Sequence, residues 1–510
     1  MYIEQHLVEK HFRETEHLLR QIPNDEVSDW MLRRGYFPEN HVVPPTYRTH
    51  NFTLQKKPYN SDITSLKRRK LIALSYPKSL LTARKFAVMD PRNYHDIVFY
   101  LNQHWSKILD ILFHNSLRIY SYSIPIPVKK DDSPGLSRLR AGRMIYEWIQ
   151  MAENDLVSDA VSYKVLARTD VANFYASIYT HSIAWALEGR EEAFKDKNCS
   201  LLGNKVDKLF QYSNDARTNG IAVGSALSDL VAEIVLADID RRVSETLSDV
   251  DFIAVRFKDD YRILAQTEED AKKVLRRISE ELSDINLSLN ERKTHITELP
   301  DGLYRAHDRE YFPLSLRWRT EIPFKTFEHT LLIALDVHRR FPGTSILEKF
   351  MSELFSRQNN LKIRFSNGNP RELNQVKKMV SLLFLVKRES EKTLCHVLAI
   401  IQVVYLEKKH IRPQLKAYLK AVVEWELKAA SKKGSAFEVV WYVFFSRYLG
   451  LGITGFSKMI DNPDVSRNEF VKCMLSSQNK LFPDAGVHLF KKPSECKDEL
   501  LVDYLDVFKK

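Results

Sequence analysis

The chain reads as an α+β N-terminal portion followed by an all-helical C-terminal half, and three observations predict this. Between about residues 166 and 300, strand-like apolar runs alternate with helical patterns. Within that region Ala254-Val-Arg-Phe-Lys-Asp-Asp-Tyr-Arg-Ile-Leu264 places apolar residues on both sides of an acidic tip, the pattern of a β-hairpin. From about residue 301 onward, nearly every segment repeats apolar residues at three-to-four spacing.

The bulk composition sets the bounds. A chain of 510 residues with 44% hydrophobic content has enough material for two to four domains with a large core. The net charge of +11 favours a polyanionic partner, nucleic acid being the commonest. Cys199, Cys395, Cys473 and Cys496 are far apart, which argues against a zinc site or a disulfide framework and fits a reducing cytoplasm. The start Met-Tyr-Ile-Glu-Gln-His lacks the apolar core of a signal peptide. The longest apolar runs, such as Met379 to Val386, are too short to span a bilayer, so no membrane partner is expected.

Taken in order, residues 1–75 read as an N-terminal extension that packs on the next domain, with helical periodicity from Val8 to Ile22 and a Pro-rich break at Val42 to Thr46. Residues 76–165 carry scattered basic positions among short elements, including Arg84, Lys85, Arg92, Lys129, Lys130, Arg138, Arg140 and Arg143. Pro127 to Gly135 reads as a turn between strands. Residues 166–300 alternate strand, helix, strand pair and helix (Glu268 to Ser283). After a strand-like section from Tyr304 to Pro323, helices are expected over Thr326–Phe341, Thr344–Arg357, Arg371–Lys387, Ser390–Leu406, Pro413–Ala430 and Ser435–Leu449. Their succession predicts a HEAT-like helical stack over the C-terminal region, although no exact repeat period is visible.

The chemistry resides in four blocks. Asp170 ends the strand-like run Tyr163 to Asp170, and the Val171 carbonyl next to it is a further candidate metal ligand. Tyr175, five residues on, is placed to exclude a 2′-hydroxyl under an incoming sugar, although an aromatic at a strand-to-helix junction is more often core. In the second block, Gly220, Val223 and Gly224 form a turn ahead of a helix that Ser225 or Ser228 can cap, shaping a nucleotide pocket. The third is the Asp259–Asp260 tip. Adjacent carboxylates repel strongly, and two Mg²⁺ ions, with Mn²⁺ able to substitute, would remove that cost while supplying what nucleotidyl transfer to a 3′-hydroxyl needs. In the fourth, Lys293 is a candidate proton donor to departing pyrophosphate. Asp259 follows Asp170 by 89 residues (259 − 170), room for two helices and a loop. Each block alone is weak; their order makes the reading.

These blocks resemble motifs A to D of reverse transcriptases. The stretch Phe174-Tyr-Ala-Ser-Ile-Tyr-Thr-His-Ser-Ile-Ala-Trp-Ala-Leu187 resembles the bacterial abortive-infection and defence-associated members of the unknown-group lineage. The resemblance implies reverse-transcriptase fingers (76–165), a palm (166–300) and a connection with a HEAT-like helical-repeat domain (301–510). It also implies a DNA polymerase of antiphage defence in the bacterial cytoplasm, using deoxynucleoside triphosphates to make a DNA product. Some relatives work without an ordinary template or prime on a protein hydroxyl, and relatives form homo-oligomers. An RNA, as template or associated non-coding RNA, is a further expected partner. Two departures stand out. Motif B reads Ala222-Val-Gly224 in place of Pro-x-Gly, and the tip has Phe257-Lys258, where Lys258 could contact a primer phosphate. Arg84, Lys85, Arg138, Arg140 and Arg143 are candidates for the triphosphate grip. The rival readings are a retron or group II intron-like enzyme, a nucleic-acid scaffold with an idle palm, and a helical toxin ribonuclease. The last is disfavoured because residues 301–510 lack an Arg-x(4 to 6)-His motif.

Overall fold

A computed structural model of the chain describes residues 5–39, 41–78, 82–129, 135–136, 146–368, 370–496 and 498–508. The basic candidates Lys130, Arg138, Arg140 and Arg143 lie outside the described residues, as does the middle of the Pro127–Gly135 turn.

The strands in chain order are β1 (Tyr47–His50), β2 (Ile72–Pro77), β3 (Ala83–Val88), β4 (Ile119–Ser121), β5 (Val165–Asp170), β6 (Phe252–Phe257), β7 (Asp260–Ala265), β8 (His295–Glu298), β9 (Ile322–Pro323), β10 (Ile363–Arg364) and β11 (His488–Phe490). The central sheet has the order β4-β6-β7-β5-β8, antiparallel throughout except for the parallel β4–β6 pair. Its middle strands are apolar on both faces because helices and connecting segments cover them. The helix Ala226–Thr246 packs beside β4. The helix Glu268–Ser283, capped by the Thr267 side chain accepting from the Asp270 amide at 3.1 Å, covers β5 and β7.

Between Asp170 and Asp259 the chain forms more than the two helices expected. Phe174–Ser177, His181–Glu188, Arg190–Lys195 and Leu202–Ser213 precede Ala226–Thr246. Gly189, at φ +81°, divides His181–Glu188 from Arg190–Lys195. The section Tyr304–Pro323 also departs from expectation. It contains the helix Ala306–Tyr311 and a 3₁₀ turn, and its only strand is the two-residue β9 paired with β10. Inward-facing residues there are sparse (Tyr311, Leu316 and Ile322), too few to line a full strand.

The C-terminal half is built from three helical hairpins in two rows. Phe324–Arg340, Arg371–Glu389 and Arg412–Lys433 form the outer row, each touching the next. Ile346–Glu353, Leu394–Glu407 and Ala436–Leu449 form the inner row in the same way. The inner helices Leu394–Glu407 and Ala436–Leu449 are apolar nearly all round, which requires cover on every side. The outer row supplies one side. Buried Lys387, between Glu426 at 2.8 Å and Glu438 at 2.5 Å, ties the second hairpin to the third.

The other side is covered from the opposite end of the chain. Trp441 donates its indole N–H to the Val42 carbonyl at 3.2 Å, and Phe437 packs edge-on to Tyr76 of β2. Tyr47 donates to the Phe470 carbonyl at 2.6 Å, Asn468 donates to the Ala73 carbonyl at 2.9 Å, and β1 pairs antiparallel with β11. The N-terminal segment thus packs on the neighbouring region through helix Leu7–Gln21 and also binds the C-terminal segment, a contact local pattern does not foresee.

Candidate active site

Strand register brings the acidic residues together. Asp170, the last residue of β5, is opposite Asp260, the first of β7, and Asp260 is also opposite Phe257 across the hairpin. The turn is therefore only Lys258 and Asp259, and Lys258 takes a left-handed φ of +56° to close it. The Val171 amide donates to the Asp259 carbonyl at 3.0 Å, locking the turn to the end of β5.

The electrostatics are those of crowded like charges. Asp170 is buried; its Oδ1 has no hydrogen-bond partner, and its Oδ2 accepts from the Lys293 ammonium. Burial, then the neighbouring Asp170, raises the Asp259 carboxyl above its usual range, against a smaller opposing pull from Lys258 and Arg84. Desolvation in the crowded site, reinforced by Asp259, pushes Asp260 up to about 6, although this residue keeps an edge open to solvent. Among the described residues no set of three or more His, Cys, Asp or Glu side chains is already closed around one point. The donors present are all oxygen, namely Asp170, Asp259, Asp260 and the Val171 carbonyl, and one buried carboxylate oxygen is unpartnered. Such a set fits a hard divalent cation.

The remaining predicted residues fall into place around this point. Lys293 lies in a 3₁₀ turn before β8 and is paired with Asp170, where it was expected to face a leaving group. The nearest buried, half-unpartnered carboxylate attracts its ammonium, and that hydrogen bond in turn raises the lysine pKa. Tyr175 is partly buried in the short helix Phe174–Ser177 and donates its hydroxyl to Asp229. Its carbonyl accepts from Ile221 at 2.9 Å, and Gly220 donates to Ile178 at 2.8 Å, so the tyrosine and the glycine turn are one hydrogen-bonded unit. Gly220 (φ +81°) and Gly224 (φ +126°) both need their freedom. A Cβ at Gly224 would stand 2.8 Å from Phe86 and 2.9 Å from Pro38. Val223 accepts from the Ala87 amide at 3.0 Å, fastening this turn to β3.

Arg84 and Lys85 are exposed on β3, and because side chains alternate along a strand they point to opposite faces. Of these two, it is Arg84 whose charge acts at Asp259, after those of Asp170 and Lys258. Lys258, considered above for a primer phosphate, instead reaches Asp229 at 3.2 Å.

Sequence reasoning missed the support beneath the tip. Arg256 is fully buried between Glu233 (3.0 Å) and Asp240 (2.7 Å), and it donates to the Lys258 carbonyl at 3.0 Å. Ser123 accepts from the Lys258 amide at 2.7 Å and donates to Glu233 at 2.7 Å. A readable signal existed: Asp229, Glu233 and Asp240 form an acidic stripe at helical spacing on an otherwise apolar, buried helix.

With this geometry established, the chain can be compared with known proteins. Residues 104–327, which contain all three carboxylates and Lys293, match the family model described as reverse transcriptase (RNA-dependent DNA polymerase). Over those residues the chain is similar to the reverse transcriptase domain. No curated protein matches the chain. Similar solved structures include apo telomerase from Candida tropicalis truncated from its C-terminal domain (14% identity, TM-score 0.29, covering 46% of this chain and 51% of that one). Full apo telomerase from Candida tropicalis is another (11%, 0.31, 86% and 71%). A third is telomerase from Candida tropicalis in complex with a TWJ fragment of telomeric RNA (14%, 0.32, 80% and 64%). The chain spans about half the length of the first of these. Among the described residues no helix is long and apolar enough to cross a membrane.

The raised Asp260 carboxyl predicts a pH-dependent stability difference. Between its unfolded value near 4 and its folded value of about 6, the native chain binds a proton that the unfolded chain does not. Wild type therefore loses stability through this group as pH rises through 6, and an asparagine does not. In a chelator, the Tm advantage of Asp260→Asn over wild type shrinks between pH 7 and pH 5. An advantage independent of pH would contradict the assignment.

Proposed function

We propose that the chain is a metal-dependent DNA polymerase of the reverse-transcriptase type acting in bacterial antiphage defence by abortive infection. The observation that carries the polymerase reading is the placement of Asp170, Asp259 and Asp260 on adjoining strand ends, one buried oxygen unpartnered, inside the reverse transcriptase domain. Asp170, Asp259 and the Val171 carbonyl would hold two Mg²⁺ ions, with Asp260 beside them at the primer end. Bound there, the ions supply charge neutralisation and activation of the attacking hydroxyl.

The chain's own residues do the rest. The Tyr175 ring, held by Asp229 and the glycine turn, backs the sugar and excludes a 2′-hydroxyl. Gly220, Val223 and Gly224 keep the nucleotide pocket open to close backbone approach, and Arg84 draws in the triphosphate. Lys293 leaves Asp170 once another cation neutralises it, and its Nζ gives a proton to the departing pyrophosphate.

The defence reading is supported by the resemblance of Phe174 to Leu187 to the abortive-infection lineage, and by the two-row helical stack after the polymerase core, which fits a HEAT-like repeat domain. On this reading the protein works in the bacterial cytoplasm as a homo-oligomer, and synthesis is template-independent, protein-primed or both. A second reading, RNA-templated synthesis with a partner RNA as in retrons or group II introns, is favoured by the family match itself.

Two substitutions test the site. Asp259→Ala with Asp260→Ala abolishes nucleotide incorporation, by at least about a thousandfold, while far-ultraviolet dichroism is unchanged; retained synthesis would remove these residues from the mechanism. Tyr175→Val lowers discrimination against ribonucleotides by about 10–100-fold, measured as the ratio of kcat/KM values. Unchanged sugar selectivity would place the gate elsewhere.

A further inference from the structure

The helical half leaves an apolar line uncovered on its outer row. Leu332 and Ile333 of Phe324–Arg340, Leu385 of Arg371–Glu389 and Trp425 of Arg412–Lys433 are 43–56% exposed. Single exposed apolar side chains are ordinary on a protein surface, but aligned ones are not. These four are aligned. Their helices run side by side in the same direction, because Glu328 pairs with Lys378 and, further along both helices, Arg339 pairs with Glu389 at 2.7 Å. Likewise Tyr418 donates to the Lys377 carbonyl at 3.3 Å, and Arg388 pairs with Glu426 at 2.8 Å. In that register Leu332, Leu385 and Trp425 stand within about one helical turn of a common level. Residues three, four or seven apart share a helix flank. Leu332 therefore shares one with Glu328 and Arg339, Leu385 with Lys378 and Glu389, and Trp425 with Tyr418, so each borders the groove to a neighbouring helix. Partly buried Leu382 and Val422, one turn before Leu385 and Trp425, widen the line.

The same row carries most of the chain's charge. The three helices hold 14 Lys and Arg against 6 Asp and Glu, an excess of 8 (14 − 6) out of +11 for the whole chain. Glu328, Glu389 and Glu426 are already paired with cations of the row itself. Lys416, Lys420 and Lys428 are exposed and form no ion pair among the described residues, and Lys428 is one turn from Trp425.

We propose that this line is the docking site for an acidic amphipathic helix of a partner protein, laid across the three outer helices. Packed helices stand about 8–10 Å apart, and seven residues of helix rise about 10.5 Å. A crossing helix with an apolar residue at every seventh position therefore meets Leu332, Leu385 and Trp425 in turn, and about 15–18 residues reach all three. Carboxylates beside its apolar stripe face the unpaired lysines. Nucleic acid suits the line less well, because single strands stack their bases on open aromatic rings. Three of the four side chains are aliphatic, and Trp425 has the Arg388 guanidinium 4.4 Å from its ring centroid. A second copy meeting the line with its own outer row would set like charge against like. All four side chains lie beyond residues 104–327, and the docking site does not depend on the polymerase reading.

The test is anisotropy of the full chain with a fluorescein-labelled peptide of about 18 residues, carrying Leu at every third or fourth position and Glu elsewhere. Saturable binding is expected, weakening as salt rises from about 0.05 to 0.5 M. A scrambled peptide of the same composition should bind at least about tenfold more weakly. Leu385→Ser and Trp425→Ala should each weaken the intact peptide by about tenfold with the Tm unchanged, since both positions are exposed. No saturable binding, equal binding of the scrambled peptide, or unaltered binding by both variants would overturn the docking site. So would a loss of affinity for a single-stranded DNA oligonucleotide with peptide binding unaffected, which would assign the line to nucleic acid. A shift of the variants to a smaller sedimenting species than wild type would overturn it too, by assigning the line to a second copy of the chain.

Discussion

The structure depends on holding Asp170, Asp259 and Asp260 close together at the ends of two paired strands. In a low dielectric such carboxylates repel by several kcal/mol, and their own strands offer only Arg168 and Arg262, two residues along, as opposing charge. The relief comes from below and beside them. Arg256 with Glu233 and Asp240 fixes the hairpin from beneath, Ser123 binds the turn amide, and Lys293 neutralises one oxygen of Asp170. The carboxyls of Asp259 and Asp260 remain raised, first by burial and then by the neighbouring acids. The sheet is pre-shaped for positive charge and is poorly balanced without it.

That imbalance links fold to function. A buried acidic helix stripe on an apolar helix serves both the tip and Tyr175, because Asp229 receives Tyr175 on one oxygen and Lys258 on the other. The Gly220–Gly224 turn, Tyr175 and the acidic turn are therefore parts of one network. The turn before that helix is fastened to β3 through Val223, which couples it to the hairpin bearing Arg84. The inner row of the helical half is sealed by β2 and the N-terminal segment, so the helical stack braces the same hairpin.

Much of this was legible in the sequence where structure is local. The Asp259–Asp260 hairpin stood out because apolar runs flank a charged tip, and the helix Glu268–Ser283 because a threonine cap precedes an amphipathic run. The alternation of the C-terminal helices was equally plain from spacing and from breaks such as Pro342-Gly343. What was not legible depends on contacts distant in sequence. The β1–β11 pairing joins residues more than four hundred positions apart, and neither short strand has a pattern of its own. The partner of Lys293 is decided by which carboxylate is left half-satisfied, and the facing of Arg168 and Arg262 by strand register. The number of helices in the Asp170–Asp259 interval was not legible either, because several are short and only one junction is marked by a glycine, Gly189.

The most direct test of the account is incubation of the full chain with Mg²⁺ and each labelled deoxynucleotide. It is run with no nucleic acid, and in parallel with an RNA template and primer, on a denaturing gel before and after protease. The account predicts labelled DNA in at least one arm, lost when a chelator is added. A band whose mobility changes on proteolysis marks protein-primed synthesis, and product only in the templated arm marks RNA-directed copying. Absence of product in every arm from a folded protein would contradict the central claim that this acidic site is a working polymerase centre.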